Sequence, residues 1–341
     1  FDVAFTADSR FLASCGLDGA RLWPLSPEDG RQRPIALGEG YLCQGIAADA
    51  TSQGLLVATM GLWAFLVEPE GAPPRSLEGV PPRCLQPAAL DTRLGLAAAA
   101  DGWAPEPGAL HIVELESGAT RSFPLRDPES RDSFDGGVTS LGFGADGSLM
   151  SGGDGGVYRW DLSTGERTRI CGEGTWSDVA LSRSGRTMIA VCDRNNPSDP
   201  VIVMDLTTGA QHRVSSHEKY IVAVAIDATG ERIATGSSNG VVRVGWATGE
   251  EPHLLIGHSE YVNALAFSPD GRWLASASGD EILLWPMPDL SKPPLHTLPH
   301  AELLAKLHSL TNLRAERDPS SDTGWAIELG PFPGWREVPT W

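Results

Sequence analysis

Cysteine is scarce and scattered: Cys15, Cys43, Cys84, Cys171 and Cys192 are the only five, and no two form a Cys-x-x-Cys pair. That excludes the short-spaced zinc sets and dithiol redox motifs. An odd, dispersed set within apparent strands reads as reduced core thiols, so the sequence predicts a cytoplasmic protein without metal or cofactor. Basic residues are also few, 26 against 44 acidic ones, for a formal charge of −18. Such a field repels nucleic acid, whose binding depends on Lys and Arg neutralising phosphates, and favours basic or neutral partners. No apolar run is long enough to span a membrane, and no signal peptide opens the chain. An initiator Met is missing too, and no outer strand precedes Val3-Ala4-Phe5. The chain therefore reads as a piece of something longer.

What the chain does have is repetition. Phe5-Thr-Ala-Asp-Ser-Arg-Phe-Leu-Ala-Ser, followed by Asp18-Gly-Ala-Arg-Leu-Trp23, returns as Phe267-Ser-Pro-Asp-Gly-Arg-Trp-Leu-Ala-Ser and Asp280-Glu-Ile-Leu-Leu-Trp285. Each copy is a short apolar strand, an Asp/Gly turn, a second strand, another turn and a third strand. Taking the residue near the exit of each third strand gives Trp23, Val67, Val113, Trp160, Met204, Trp246 and Trp285. A recurrence of about 40 to 45 residues with four strands per unit is the signature of propeller blades. The fold class predicted is all-β: a seven-bladed propeller of four-stranded antiparallel blades over 1–298, its last outer strand at Leu295–Leu298. No blade buries both faces alone, so the seven must share one core. Blades one, four, six and seven repeat best, and two and three are degenerate.

After residue 298 the composition changes. Leu303, Leu304, Leu307, Leu310 and Leu313 fall at helical spacing. A short strand at Trp325–Leu329 and a Trp/Pro-rich end follow, so 299–341 is predicted to be a helix-and-strand clasp.

These residues resemble the WD40-repeat family over 1–298. In that family a Gly-His before the inner strand, a Ser or Thr in the second strand, an Asp in the next turn and a Trp in the third strand form a buried hydrogen-bonded set. The resemblance implies such a structural tetrad at His258, Ser276, Asp280 and Trp285. Blade six offers His217, Asn239 and Trp246, with Asn in place of Asp. Trp-Asp itself occurs once, at Trp160-Asp161. The tail is similar to the C-terminal ends of bacterial multidomain WD40 proteins, in which the propeller follows a kinase, a STAND-type NTPase or a protease-like effector.

Several patterns mimic chemistry. Gly142-Phe-Gly-Ala-Asp-Gly147 fits G-x-G-x-x-G, but it aligns with an ordinary strand-to-strand turn and no helix follows to meet a pyrophosphate. Asp8, Asp146 and Asp270 lack the repeated acidic ligands of a calcium loop and read as hairpin turn residues. His258, Ser276 and Asp280 have the membership of a catalytic triad, yet the structural tetrad accounts for them. The inner strands are nearly all apolar or small. No catalytic residue is assigned.

A partner-binding face is predicted from loop lengths. The long segments Asp101–Gly108, Asp127–Gly136 and Asp193–Pro200 leave one end of blades three to five and carry Trp103, Arg131, Phe134 and Arg194. Tyr41, Trp176, Tyr220 and Tyr261, at the start of inner strands, are predicted to ring the channel mouth on the same face. An aromatic or Arg anchor inside a polar rim is how interfaces concentrate their energy. The function expected is non-catalytic recognition of a protein or peptide of basic character, regulating an upstream domain of a bacterial signalling or defence protein. The alternatives are a stand-alone scaffold subunit bridging protein partners and, more remotely, a propeller enzyme using the central channel.

Overall fold

The computed structural model describes the chain apart from residues 1, 18, 27–32, 36–42, 50–51, 53, 60–63, 68–73, 78–84, 102–107, 126–136, 154, 173–176, 194–200, 216–219, 311–312, 318–324 and 330–341. The chain divides into two compact units, Phe1–Trp285 and Pro286–Trp341.

The first unit is a succession of antiparallel meanders. Sheet one holds β1 (Asp2–Phe5), β2 (Phe11–Gly16), β3 (Gly19–Pro24) and β4 (Arg33–Ile35). Sheet two holds β5 (Cys43–Ala48), β6 (Leu55–Thr59), β7 (Ala64–Val67) and β8 (Arg75–Ser76). Sheet three holds β9 (Leu85–Asp91), β10 (Leu96–Asp101), β11 (Ala109–Glu114) and β12 (Thr120–Pro124). Sheet four holds β13 (Val138–Phe143), β14 (Leu149–Gly153), β15 (Gly156–Trp160) and β16 (Arg167–Cys171). Sheet five holds β17 (Asp178–Leu181), β18 (Thr187–Val191), β19 (Val201–Asp205) and β20 (Gln211–Val214). Sheet six holds β21 (Ile221–Ile226), β22 (Arg232–Ser237), β23 (Val241–Trp246) and β24 (His253–Ile256). The remaining sheet has three strands, β25 (Val262–Phe267), β26 (Trp273–Ser278) and β27 (Glu281–Pro286).

The expectation of seven four-stranded blades is thus corrected to six, followed by a three-stranded sheet. The segment assigned as the last outer strand is a 3-10 turn, Leu295–Thr297. Pro293, Pro294 and Pro299 bracket it; they supply no N–H to a ladder and fix φ. Sheets two and three, the weak repeats, have all four strands.

The first strands of consecutive sheets pack side by side, and β1 packs against β25 and β26, so the unit closes on itself. The core explains why. Ala13, Leu22 and Leu55 of sheets one and two share one cluster, and Leu110, Ile112, Leu149 and Trp160 of sheets three and four share another. Val3, Phe5 and Leu12 pack with Ala264, Ala275 and Ala277 across the closure. Burying each Leu or Ile is worth about 1.5–3 kcal/mol, and here that gain exists only between neighbouring sheets.

Polar groups register the sheets on one another. Asp2 Oδ2 accepts from Ile46 N at 3.0 Å, Ser140 Oγ from Val179 N at 2.9 Å and Asp178 Oδ2 from Val224 N at 3.0 Å. On the outer strands, Arg75 donates to Leu115 O (3.1 Å) and Arg121 to Leu162 O (2.7 Å), and at the start of β22 Arg232 donates to Gly271 O (3.1 Å). Asp270 N donates to Ser9 Oγ across the closure at 3.0 Å.

The cysteines are corrected as well. Cys15 and Cys43 form one disulfide and Cys171 and Cys192 another, because neighbouring sheets bring them together. The cytoplasmic expectation rested on free thiols. Among the described residues no helix is long and apolar enough to cross a membrane.

The second unit contains α1 (His300–Leu310) and a hairpin of β28 (Leu313–Arg317) with β29 (Trp325–Leu329), paired from Leu313–Leu329 to Arg317–Trp325. The sequence extended the helix to 314 and had no strand at Leu313–Arg317.

Candidate binding face

In an antiparallel meander, the segment that feeds the first strand and the turn joining the second to the third emerge at the same end of the sheet. At that end the inner strands begin irregularly. The pairing slips by one residue between Cys43 and Gly45, Val138 and Ser140, Ile221 and Ala223, and Val262 and Ala264. A bulge of this kind re-aims the preceding side chain. Tyr220 stands just before one such slip with φ 47°, a conformation rarely adopted by a non-glycine residue. Its carbonyl is held by Ser238 N at 3.0 Å, and its ring is 51% exposed. Tyr261 precedes another slip and is 61% exposed.

Two further apolar side chains share this end. Ile256, at the close of β24, is 73% exposed, and Leu17, in the β2–β3 turn, is 67% exposed. The sequence reading missed both. The signal was present: an apolar residue at the tip of a two-residue turn has no core to enter. Sheets six, seven and one are consecutive around the closure, so the four residues occupy one sector of the face.

Tyr41, Trp103, Arg131, Phe134, Trp176 and Arg194 lie outside the described residues, as does His217. The strands that flank the long segments are described. Those after β10 and β18 join second to third strands, and the one after β12 leads into a first strand, so all three leave the same end as Tyr220 and Tyr261.

Behind Tyr261 lies the buried polar set. His258 Nε2 meets Ser276 Oγ at 2.6 Å, and Trp285 Nε1 donates to the same oxygen at 2.7 Å. The carboxylate on His258 Nδ1 is that of Glu281, at 3.1 Å, rather than Asp280. Asp280 occupies the two-residue turn, whereas Glu281 opens β27 and reaches across. Ser276 is fully buried, and its oxygen is shared between an indole and an imidazole, so it is not presented as a nucleophile. Gly257 precedes the histidine because a Cβ there would meet Trp285 at 2.7 Å and Leu283 at 2.9 Å. Ser14–Trp23 (2.8 Å) and Ser151–Trp160 (2.9 Å) repeat the serine–indole bond in sheets one and four.

Sheet six departs from this. Its β22–β23 turn is one residue longer and its tryptophan comes one position later in the third strand, so Gly245 pairs with Ile233 where Trp23 pairs with Leu12 and Trp160 with Leu149. Trp246 pairs with Arg232 and is one residue out of register with the other tryptophans. It lines a groove of about 620 Å³ with Val203 and His212. Asn239 instead closes its own turn, accepting from Ser237 Oγ and from Val241 N (3.3 Å).

The central channel is a cavity of about 520 Å³ lined by the inner strands. The sequence reading treated these strands as apolar or small, but Asp2 and Asp178 both line it. Both are occupied by backbone N–H groups of the next sheet, as given above. Burial pushes the Asp2 carboxyl above the usual carboxylate range, opposed by the bonds from Ile46 and Val3 and assisted by the charge of Asp178. At the other end, Asp8 accepts from Thr6 Oγ (2.7 Å), Asp146 from Ser148 Oγ (2.6 Å) and Asp270 from Ser268 Oγ (2.6 Å), so these carboxylates close turns. The G-x-G-x-x-G stretch ends β13 and leads into strand β14, and a Cβ at Gly142 would run into Leu181 of the next sheet. Among the described residues no group of three His, Cys, Asp or Glu could hold a metal ion.

The family described as WD domain, G-beta repeat matches residues 129–161, 209–244 and 249–285. The chain carries WD40 repeats, and its fold is a WD40-type propeller. It is 29% identical over 150 residues to the WD repeat-containing protein SL1-17 of Schistosoma mansoni, covering 42% of this chain and 48% of that one. It is 29% identical to the small ribosomal subunit protein RACK1 of Neurospora crassa, covering 33% and 40%, and to the nuclear distribution protein PAC1-2 of Uncinocarpus reesii, covering 43% and 38%. The matches therefore span less than half the length of these relatives. A chain in the crystal structure of the mitotic checkpoint complex superposes with a TM-score of 0.68 at 15% identity, over 84% of this chain and 86% of that one, a likeness of fold alone.

Proposed function

We propose that this WD40-type propeller is a non-catalytic recognition domain that binds a protein or peptide of basic character. The observation that carries the reading is the exposed sector Leu17, Tyr220, Ile256 and Tyr261, with Tyr220 in a backbone conformation rare for a non-glycine residue. Apolar side chains grouped at one end of a sheet stack mark an interaction site more often than scattered ones do. Glu260 precedes Tyr261 in sequence, its carboxylate lies beside Gly279 in the turn that carries Asp280, and the whole chain carries −18. That balance supports a cationic partner. We extend the proposed face to Trp103, Arg131, Phe134, Arg194, Tyr41 and Trp176, which lie outside the described residues.

What binding achieves has two readings. The tail's similarity to bacterial multidomain proteins supports control of an upstream effector. The relatives are eukaryotic, and one is named as a ribosomal subunit protein. That supports the second reading, a scaffold subunit holding partners together. Affinity purification with the wild-type chain and with Tyr220→Ala/Tyr261→Ala, scored against an array of Lys/Arg-rich peptides, tests the face. Binding is expected to fall at least tenfold in the variant with its melting temperature unchanged. Equal binding by both proteins would place recognition elsewhere.

A further inference from the structure

Four cysteines that share no sequence motif come together in pairs at two separate sheet junctions. Cys15 in β2 meets Cys43 at the start of β5, with Cα atoms 5.2 Å apart, and Cys171 at the end of β16 meets Cys192 just past β18, at 5.7 Å. Both separations fall within the range a disulfide needs, so neither junction must move to close one. The first pair ties sheet one to sheet two, the second sheet four to sheet five. Each crosses a junction that also carries a side chain on the next sheet's backbone, Asp2 on Ile46 and Ser140 on Val179. Bridge and hydrogen bond thus fix the same registers. A cytosolic protein gains no more from such a pairing than from two small buried apolar residues, because its thiols are kept reduced. Two independent pairings at bonding geometry, leaving only Cys84 over, suit a protein that uses them.

We infer that this propeller matures with both bridges closed and works in an oxidising compartment. Each bridge forms when two thiols surrender two electrons and two protons to a disulfide oxidant, either oxidised glutathione, which leaves as two molecules of the reduced thiol, or a thiol–disulfide oxidoreductase, which leaves as its reduced dithiol.

The test is thiol trapping of the natural protein: cells are quenched in acid, free thiols are blocked with N-ethylmaleimide under denaturing conditions, and peptides are mapped without reductant. The expected map contains the Cys15–Cys43 and Cys171–Cys192 linked peptides and a single blocked cysteine, Cys84. Five blocked cysteines, or linkages between other pairs, would overturn the inference. A second arm needs no variant. Dithiothreitol is expected to lower the melting temperature of the purified oxidised chain by about 10 °C, the scale of losing two loop constraints in a protein of this size. No shift on complete reduction would equally count against the bridges as part of the working fold.

Discussion

Sheet three and sheet seven make opposite use of the same repeat. Among the described residues, the strands of sheet three hold no tryptophan, no Gly-His and no serine–indole bond, yet the sheet completes four strands on Ala97, Ala98, Ala99, Leu110 and Ile112, all buried. Sheet seven has the full hydrogen-bonded set of His258, Ser276 and Trp285 and stops at three strands. The signature side chains therefore do not determine strand count. They lock the interior of a sheet already specified by apolar periodicity, and the chain beyond the third strand decides whether a fourth can join.

That contrast can be broken from either side. The largest effect is expected in sheet three, which lacks the serine–indole lock and relies more on packing. Leu110→Ala removes a fully buried side chain at the junction with sheet four and should cost about 3 kcal/mol in urea denaturation. In sheet seven, Ser276→Ala leaves the Trp285 indole and His258 imidazole without their shared oxygen and should cost about 2 kcal/mol. If Ser276→Ala proved the more damaging, polar locks rather than packing would dominate the weaker sheets too. The smallest effect concerns acid. Burial alone would raise the Asp227 carboxyl, but bonds from Arg232 and Thr229 outweigh it and hold it below the ordinary value of 3.8. A depressed folded pKa means its contribution is present above 3.8 and lost as pH falls through the lower folded value. Asp227→Asn should flatten that part of the acid-stability curve, measured by thermal melts between pH 5 and 2.

Most of the fold was legible because each strand is a short apolar run between Asp/Gly turns, and that pattern survives when the signature residues do not. What was missed depended on single residues or on neighbours in space. One extra residue within β23, beyond the one in the β22–β23 turn, put Trp246 out of register. One position decided between Asp280 and Glu281. Asp2 and Asp178 were not singled out in inner strands that read as nearly all apolar or small, because their N–H partners come from the adjacent sheet. The disulfides, separated by 28 and 21 residues, follow no spacing rule, because their geometry belongs to the sheet junction. The binding face was legible only as an end of the stack: Tyr220 and Tyr261 sit there, while Leu17 and Ile256 became visible through their exposure.

The Cys15–Cys43 bridge encloses β3, β4 and the segment that leads into β5. With it closed, a protease that cuts anywhere inside that loop breaks the chain without liberating a fragment. Both sides of the nick remain joined through sulfur, and β1, β2 and β5 stay moored to their neighbours. Damage at this edge would pass unnoticed on a gel until reductant was added.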